Sequence, residues 1–446
     1  MKRIFSVGIF YFLLTTLVFS QQYEFPLKVS ANNRYLVDQN GKAFFYNADT
    51  GWKLFVKLNR NEVIDYLTDR KKKKFNAVQT ALTGFEGEKN IYGVLPFDNS
   101  ADFGSINPAY FDHVDWVLRQ ADSLKLLIAV VPLWAGCCGE GYAGRGNVGT
   151  TSFMDQNGPL KSKAFGEYVG KRFAKYNHVL WIIGGDNDPH EDRESMNQLA
   201  LGIKSQAPHQ LMTYHASSSH SSTDVWENPS WLDVVMTYTY FRGFDKGWNT
   251  NQPDVYEVNF KEYAKRPIRP FFLGESTFEH EHGPWGSALQ VRKQAYWSVL
   301  SGGIGNGYGT PNWNFPSNWR TLLELPGGNS LRYYFDLFNS RPWYQIVPDP
   351  ESKIIIEGAG VYAKNDYAIA GADKNGKFII AYIPSGRSFK VSTATLVGNK
   401  VKVSWYNPRD GTTVLIGQYK NPGVLSLKTP DENDWVLIVD TINTKK

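Results

Sequence analysis

Two short stretches carry the candidate chemistry of this 446-residue chain. Residues 178–190, HVLWIIGGDNDPH, open with an apolar, β-branched run that reads as a buried strand. The run stops at Gly184-Gly185, delivers Asp186, Asn187 and Asp188, and meets Pro189, which blocks further sheet pairing. Residues 270–277, PFFLGEST, repeat the device and end in Gly274-Glu275. Two carboxyl groups facing each other across a cleft are what cleavage of a glycosidic bond requires. One, protonated, donates to the leaving oxygen; the other attacks the anomeric carbon or activates water. Asp186 and Glu275 are the candidate pair, at strand ends close enough for direct attack in a retaining reaction. Inversion stays open because Asp is one methylene shorter than Glu. The bland alternative is that both acids are ion-pair partners or helix caps.

Other strand-end residues suit sugar binding. Trp52 and Trp134 are candidate platforms or barrel plugs, and Trp313 follows the last strand. Asp49 and Gln79 end the first two strands and could bind hydroxyl groups. His215 could bond a hydroxyl or a carboxylate. Tyr238 and Tyr240 lie two apart and share a face of one strand. No catalytic metal or cofactor is expected: HExxH and CxxC spacings are absent, and the HxH of His280 and His282 falls in a loop. A GxSxG elbow is absent, and no dinucleotide glycine fingerprint follows the first strand.

Eight strand-then-helix units must position these groups. Strands are expected over 43–47, 76–82, 126–134, 179–183, 211–215, 233–240, 270–275 and 303–310. The fifth is followed by a loop instead of a clear helix. That count favours a (β/α)8 barrel, whose catalytic groups sit at the carboxyl ends of the strands. Asn59 with Glu62 three residues on reads as a capping box. The basic run 70–74 reads as a solvated helix end favoured by the helix dipole, not as a nucleic-acid patch. From about residue 353 the texture changes to short β runs with turns such as Asn375-Gly376 and Asp410-Gly411. This predicts an antiparallel β-sandwich, so the chain divides into 1–20, 21–341 and 342–446.

Residues 1–20 combine Lys2 and Arg3 with an apolar run, the pattern of a secretory signal peptide. A secreted or periplasmic protein without a lasting membrane span is expected. Cys137 and Cys138 are the only cysteines, and adjacent cysteines cannot staple distant elements. Net charge is +5 and the basic residues are scattered, which gives no nucleic-acid footprint. Aromatic residues make up 15% of the chain, a supply of flat surfaces for sugar rings. Oligomeric state is not legible.

The motifs DTGW at 49–52, FNAVQ at 75–79, WIIGGD at 181–186, TYH at 213–215 and FLGE at 272–275 resemble the apiosidase-like glycoside hydrolases. The resemblance implies a (β/α)8 catalytic barrel followed by a collagen-binding-type β domain. It implies an acid/base role for Asp186 and a nucleophile role for Glu275, with Asp188 as the rival acid because Asn187-Asp188 resembles, one step later, the Asn-Glu pair of related barrel glycosidases. It also implies apiosidase-like action on pectic polysaccharide of plant cell walls. The rival class is a non-catalytic carbohydrate- or matrix-binding protein that uses the barrel as a scaffold.

Overall fold

The computed structural model describes residues 22–99, 102–136, 140–143, 152–240 and 253–442. The signal-peptide reading and Cys137-Cys138 lie outside the described residues. A three-stranded antiparallel sheet (Lys28–Val29, Leu36–Val37, Ala43–Phe44) precedes the barrel. The first barrel strand is therefore Tyr46–Thr50, later than expected, because 43–44 pair with the N-terminal arm.

Eight parallel strands follow in barrel order: Tyr46–Thr50, Ala77–Ala81, Leu127–Val131, Val179–Gly184, Met212–His215, Val235–Tyr238, Phe271–Glu275 and Gly305–Tyr308. The last pairs with the first, from Gly305 opposite Tyr46 to Tyr308 opposite Asp49. The circuit closes between Met212–His215 and Val235–Tyr238 without a regular ladder: Asp233 and Val234 donate their N–H groups to Met212 O. These strands are buried along their whole length, which is why they read as apolar runs without alternation.

Side chains fill the barrel interior. Tyr46 stacks on Phe272 with ring centroids 4.2 Å apart, and its hydroxyl donates to Gln79 Oε1 at 3.0 Å. The capping box at Asn59 and Glu62 is present and starts the helix Arg60–Lys72. The end of that helix corrects the solvated reading of the basic run. Arg70 and Lys73 are buried, and Arg70 pairs with Asp49 and Asp69. After the fifth strand there is only one short turn of helix, Ser222–Val225.

The last barrel helix is Pro326–Asn339. A six-stranded antiparallel sheet begins at Ile346–Pro348 and runs, in spatial order, through Ile369–Asp373, Phe378–Ile383, Trp435–Thr441, Lys400–Tyr406 and Thr413–Lys420. A three-stranded sheet of Ile355–Glu357, Ser388–Ser392 and Val424–Lys428 packs with it around a core that includes Ile379, Val391, Val403 and Leu437. The sequence reading missed Ile346–Pro348 and Val424–Lys428.

The two parts share the helix Ala288–Leu300, whose residues are buried from Gln290 onward. Arg292 grips Asp434 with two hydrogen bonds of 2.7 and 2.9 Å. Tyr382 also donates to Asp434, at 2.9 Å. Tyr296 stacks face to face on Tyr382 at 4.7 Å, and Trp297 Nε1 donates to Tyr367 O at 3.0 Å. The helix that follows the Glu275 strand is thus walled in by the β domain. Among the described residues no helix is long and apolar enough to cross a membrane.

Candidate active site

The site lies where the fourth, fifth and seventh strands end. Gly184 holds φ at +97°, a backbone state that an L side chain resists, and this turns the chain beneath Asp186. The Gly185 N–H donates to His215 O at 3.1 Å, tying the two strand ends together. Gly274 precedes Glu275, and a Cβ there would collide with the Met236 side chain. Small residues therefore set where both acids emerge.

One carboxylate oxygen from each of Asp186 and Glu275 and a ring nitrogen of His215 all lie within 4.8 Å of one another. Asp186 is partly open, whereas Glu275 is 4% exposed and His215 is fully buried. Tyr238 donates its hydroxyl to Asp186 Oδ1 at 3.3 Å. His215 Nε2 stands 3.0 Å from Glu275 Oε2, and its Nδ1 stands 3.0 Å from Ala216 O. Burial, then the neighbouring charge of Glu275, pushes the Asp186 carboxyl up to about 7. Burial, then Glu281, raises Glu275 to about 8. Burial also holds His215 below the ordinary histidine value.

Above this triad opens a cleft of about 250 Å³. Its wall includes Trp52, Phe85, Trp134, Tyr240, Phe278 and Trp313, together with Glu140, Glu281 and His282. Trp52 and Trp134 meet at 4.8 Å, Phe85 stacks on Trp134 at 6.2 Å, and Phe85 faces Trp313 at 6.4 Å. Lys53 Nζ sits 3.3 Å from the Phe85 ring centroid and pairs with Glu88, so a buried cation backs that ring. Glu281 accepts a 3.0 Å hydrogen bond from Trp313 Nε1 and fixes that indole at the rim.

Of the residues singled out from sequence, Asp186, Glu275, Trp52, Trp134, Tyr240 and Trp313 meet in this cleft, with His215 and Tyr238 beneath them. Three do not reach it. Asp49 points outward to Tyr66, whose hydroxyl it accepts at 2.6 Å, and to Arg70. On a strand whose neighbouring Tyr46 fills the barrel, the alternation of side chains sends Asp49 to the helix layer. Gln79 points inward but is consumed below the floor: its amide donates to Thr50 Oγ1 and to Gly274 O. Asp188 pairs with His220 Nδ1 at 2.6 Å and accepts from Ser217 N at 2.9 Å. Burial works against it, but those partners hold its carboxyl below the ordinary range, the wrong direction for a proton donor.

Sequence reasoning missed Phe85, Glu140, Phe278 and Glu281, and noted His282 only as part of a loop HxH, not as a cleft residue. All five lie on loops, where periodicity carries no signal. The pair of left-handed residues His280 and His282 marks where the loop after Glu275 folds back over the cleft.

Comparison with known proteins places the fold and the family. A search of curated proteins finds no match. Among solved structures, a glycoside hydrolase family 5 protein from Bacteroides vulgatus is 27% identical, with 94% of each chain covered and a TM-score of 0.83. A second structure, described as a glycoside hydrolase, is also 27% identical, covers 93% of this chain and 96% of its own, and has a TM-score of 0.81. The endo-1,4-beta-mannanase from Rhizomucor miehei is 14% identical over 71% of this chain and 99% of its own, with a TM-score of 0.53; it shares the fold. Residues 347–440 match a collagen-binding-like domain of a collagenase. Residues 30–345 match the apiosidase-like catalytic domain, and the chain belongs to the apiosidase-like family of glycosidases.

Proposed function

We propose that the protein is a secreted or periplasmic enzyme that hydrolyses glycosidic bonds in pectic polysaccharide of plant cell walls, apiose linkages among them, with retention of configuration. The observation that carries this is the placing of Asp186 and Glu275: a partly open and a buried carboxyl group, each with one oxygen within 4.8 Å of one of the other's, under an aromatic-walled cleft. Retaining enzymes hold their carboxyl groups about 5–5.5 Å apart, and inverting ones leave about 6.5–9.5 Å for a water. The short separation supports direct attack by Glu275. Export is supported by the charged-then-apolar pattern of residues 1–20.

The protons can be followed. Nδ1 of His215 faces a carbonyl oxygen, which only accepts, so Nδ1 carries hydrogen. The Nε2 contact with Glu275 then holds one proton between two atoms. In the empty cleft, burial places it on Glu275 and leaves His215 neutral. When substrate fills the cleft, the proton passes to Nε2, the ring becomes an imidazolium, and Glu275 becomes the carboxylate that attacks the anomeric carbon. Asp186 gives its own proton to the leaving oxygen. In the second step Asp186 takes a proton from water, whose oxygen attacks the anomeric carbon and frees Glu275. The three groups hold two protons at the start and one while the sugar is attached, when Glu275 is a neutral ester, so their net charge stays at zero.

The test is release of reducing sugar from a panel of pectic oligosaccharides, with the anomer of the first-formed product read by NMR. Release of a neutral side-chain sugar as the retained anomer is expected. No release from any member of the panel, or the inverted anomer, overturns the substrate or the stereochemical assignment respectively.

A further inference from the structure

The triad beneath the cleft also has the make-up of a cation site. We propose that Asp186, His215 and Glu275 bind a zinc-like divalent transition-metal ion, which occupies the floor of the cleft and blocks hydrolysis reversibly. The inference rests on the proposed function only for the word "blocks"; the binding itself does not depend on it.

Three observations carry it. The donor set is one imidazole and two carboxylates, each able to turn one atom toward a common point, with all three atoms within 4.8 Å of one another. Zinc takes nitrogen and oxygen donors at about 2.0–2.2 Å, which puts tetrahedral neighbours about 3.4 Å apart. The His215–Glu275 edge is already 3.0 Å. Asp186 has only to turn about its side-chain bonds, giving up one long contact of 3.3 Å to Tyr238.

The histidine is also prepared for the role. Histidines that ligate metals donate their other ring N–H to a carbonyl or carboxylate, which fixes the tautomer with the free nitrogen toward the ion. His215 Nδ1 is committed to Ala216 O at 3.0 Å and leaves Nε2 facing the carboxylates. Finally, the surroundings favour a cation. Glu140 and Glu281 line the same cleft, which makes four carboxyl side chains among its described lining residues. Magnesium and calcium prefer six or more oxygen donors and fit this set poorly.

The loop histidines offer the competing location. His282 and Glu281 are 3.7 Å apart at the cleft rim, and His220 pairs with Asp188 nearby. The experiment is titration calorimetry of zinc chloride into the full chain at pH 7.5 in a non-coordinating buffer. One ion per chain, bound at micromolar concentration, is expected. Magnesium chloride at millimolar concentration should give no heat. His215→Gln should weaken zinc binding at least 30-fold, and Glu275→Gln, which keeps size and shape, should do the same. The double variant His280→Ala/His282→Ala and the single variant His220→Ala should bind as the parent does. Near-ultraviolet circular dichroism checks that each variant is folded. Zinc should also inhibit glycoside hydrolysis, and EDTA should restore the full rate. Unchanged zinc binding in both His215→Gln and Glu275→Gln, loss of binding in the loop variants, or no binding up to millimolar zinc each overturns the proposal. A protein that binds zinc as described but hydrolyses no glycoside overturns the proposed function and leaves the site standing.

Discussion

His215 and Glu275 form a pair that holds one proton: Nε2 lies 3.0 Å from Oε2, and the other ring nitrogen is spent on the Ala216 carbonyl. The pair lies deep in the barrel, with the histidine fully buried and the glutamate nearly so. In so dry a place two neutral partners are favoured over an ion pair until a substrate supplies charge of its own.

The first prediction concerns pH. Asp186 must be protonated to act as acid, and its carboxyl is raised to about 7, so the donor form is present below that value and lost above it. Glu275 is raised to about 8, so in the free enzyme the proton it shares with His215 leaves near there. kcat/KM should fall as pH rises through about 7, where Asp186 loses its proton; loss of the Glu275 proton leaves the attacking carboxylate in place and is not the cause of the fall. Stopped-flow or discontinuous assays across pH 4–9 check it; a flat profile up to pH 9 contradicts the assignment.

The second separates the two acids. Asp186→Asn should lower the rate on poor leaving groups by about 10²–10⁴-fold and spare activated aryl glycosides. Glu275→Gln should abolish turnover of both. Azide should rescue Glu275→Ala to the inverted glycosyl azide. Asp188→Asn should leave the leaving-group dependence untouched, because that carboxyl is held by His220 and Ser217.

A third follows from linkage. The folded state keeps protons on Glu275 and Asp186 that the unfolded chain releases near pH 4, so these acids cost stability as pH rises from about 4 toward 8. Glu275→Gln should therefore raise Tm at pH 8 by on the order of 1–3 °C and have little effect at pH 4. Differential scanning calorimetry at the two pH values is the check; a lower Tm at pH 8 counts against it.

The fourth tests the shared helix. Arg292→Met takes from Asp434, which is 1% exposed, its two-bond partner and leaves it Arg409 at 3.2 Å and the Tyr382 hydroxyl. Leaving a buried charge with no partner costs about 3–5 kcal/mol; with one cation still in place a loss of about 1–3 kcal/mol is expected. Urea unfolding should show that loss, while kcat of the folded fraction stays within about threefold of the parent. A variant as stable as the parent would show that the pair is dispensable.

The fifth probes placement. Gly274→Ala drives a methyl group into Met236 and displaces Glu275 by a fraction of an ångström. A 1 Å misplacement can cost about 10²-fold in rate. The expected outcome is a folded enzyme with a depressed kcat. Adding Met236→Ala should recover part of it, since the collision is with that side chain.

The barrel was legible because strands such as Leu127–Val131, Val179–Gly184 and Phe271–Glu275 are buried on both faces and read as simple apolar runs. Asp186 and Glu275 were legible for the same reason: each follows such a run through a glycine. Asp49 also stands at a strand end, just before a glycine, yet strand alternation sends it to Arg70, and a sequence does not say which face of a doubly buried strand looks inward. Arg70 itself sits in a basic run that looks solvated; only the tertiary partner Asp49 explains its burial. Asp188 looked like an acid because of its position, but His220, 32 residues on, decides its charge. Glu281 and Phe85 carry no pattern at all, since their place in the cleft depends on how loops fold across a distance.

The helix Ala288–Leu300 sets the size of the smallest piece that can be inherited or transplanted. One side of it closes the barrel behind Glu275, and the other is roofed by Tyr382, Asp434 and Tyr367. The two family matches meet at residues 345 and 347, but a cut there would strip the roof and leave Arg292, Tyr296 and Trp297 facing water. A gene fusion that carries the barrel alone to a new host protein would move a catalytic floor without its back wall. The B. vulgatus family 5 structure follows this chain over 94% of the length of both, as expected when two segments are passed on as one unit.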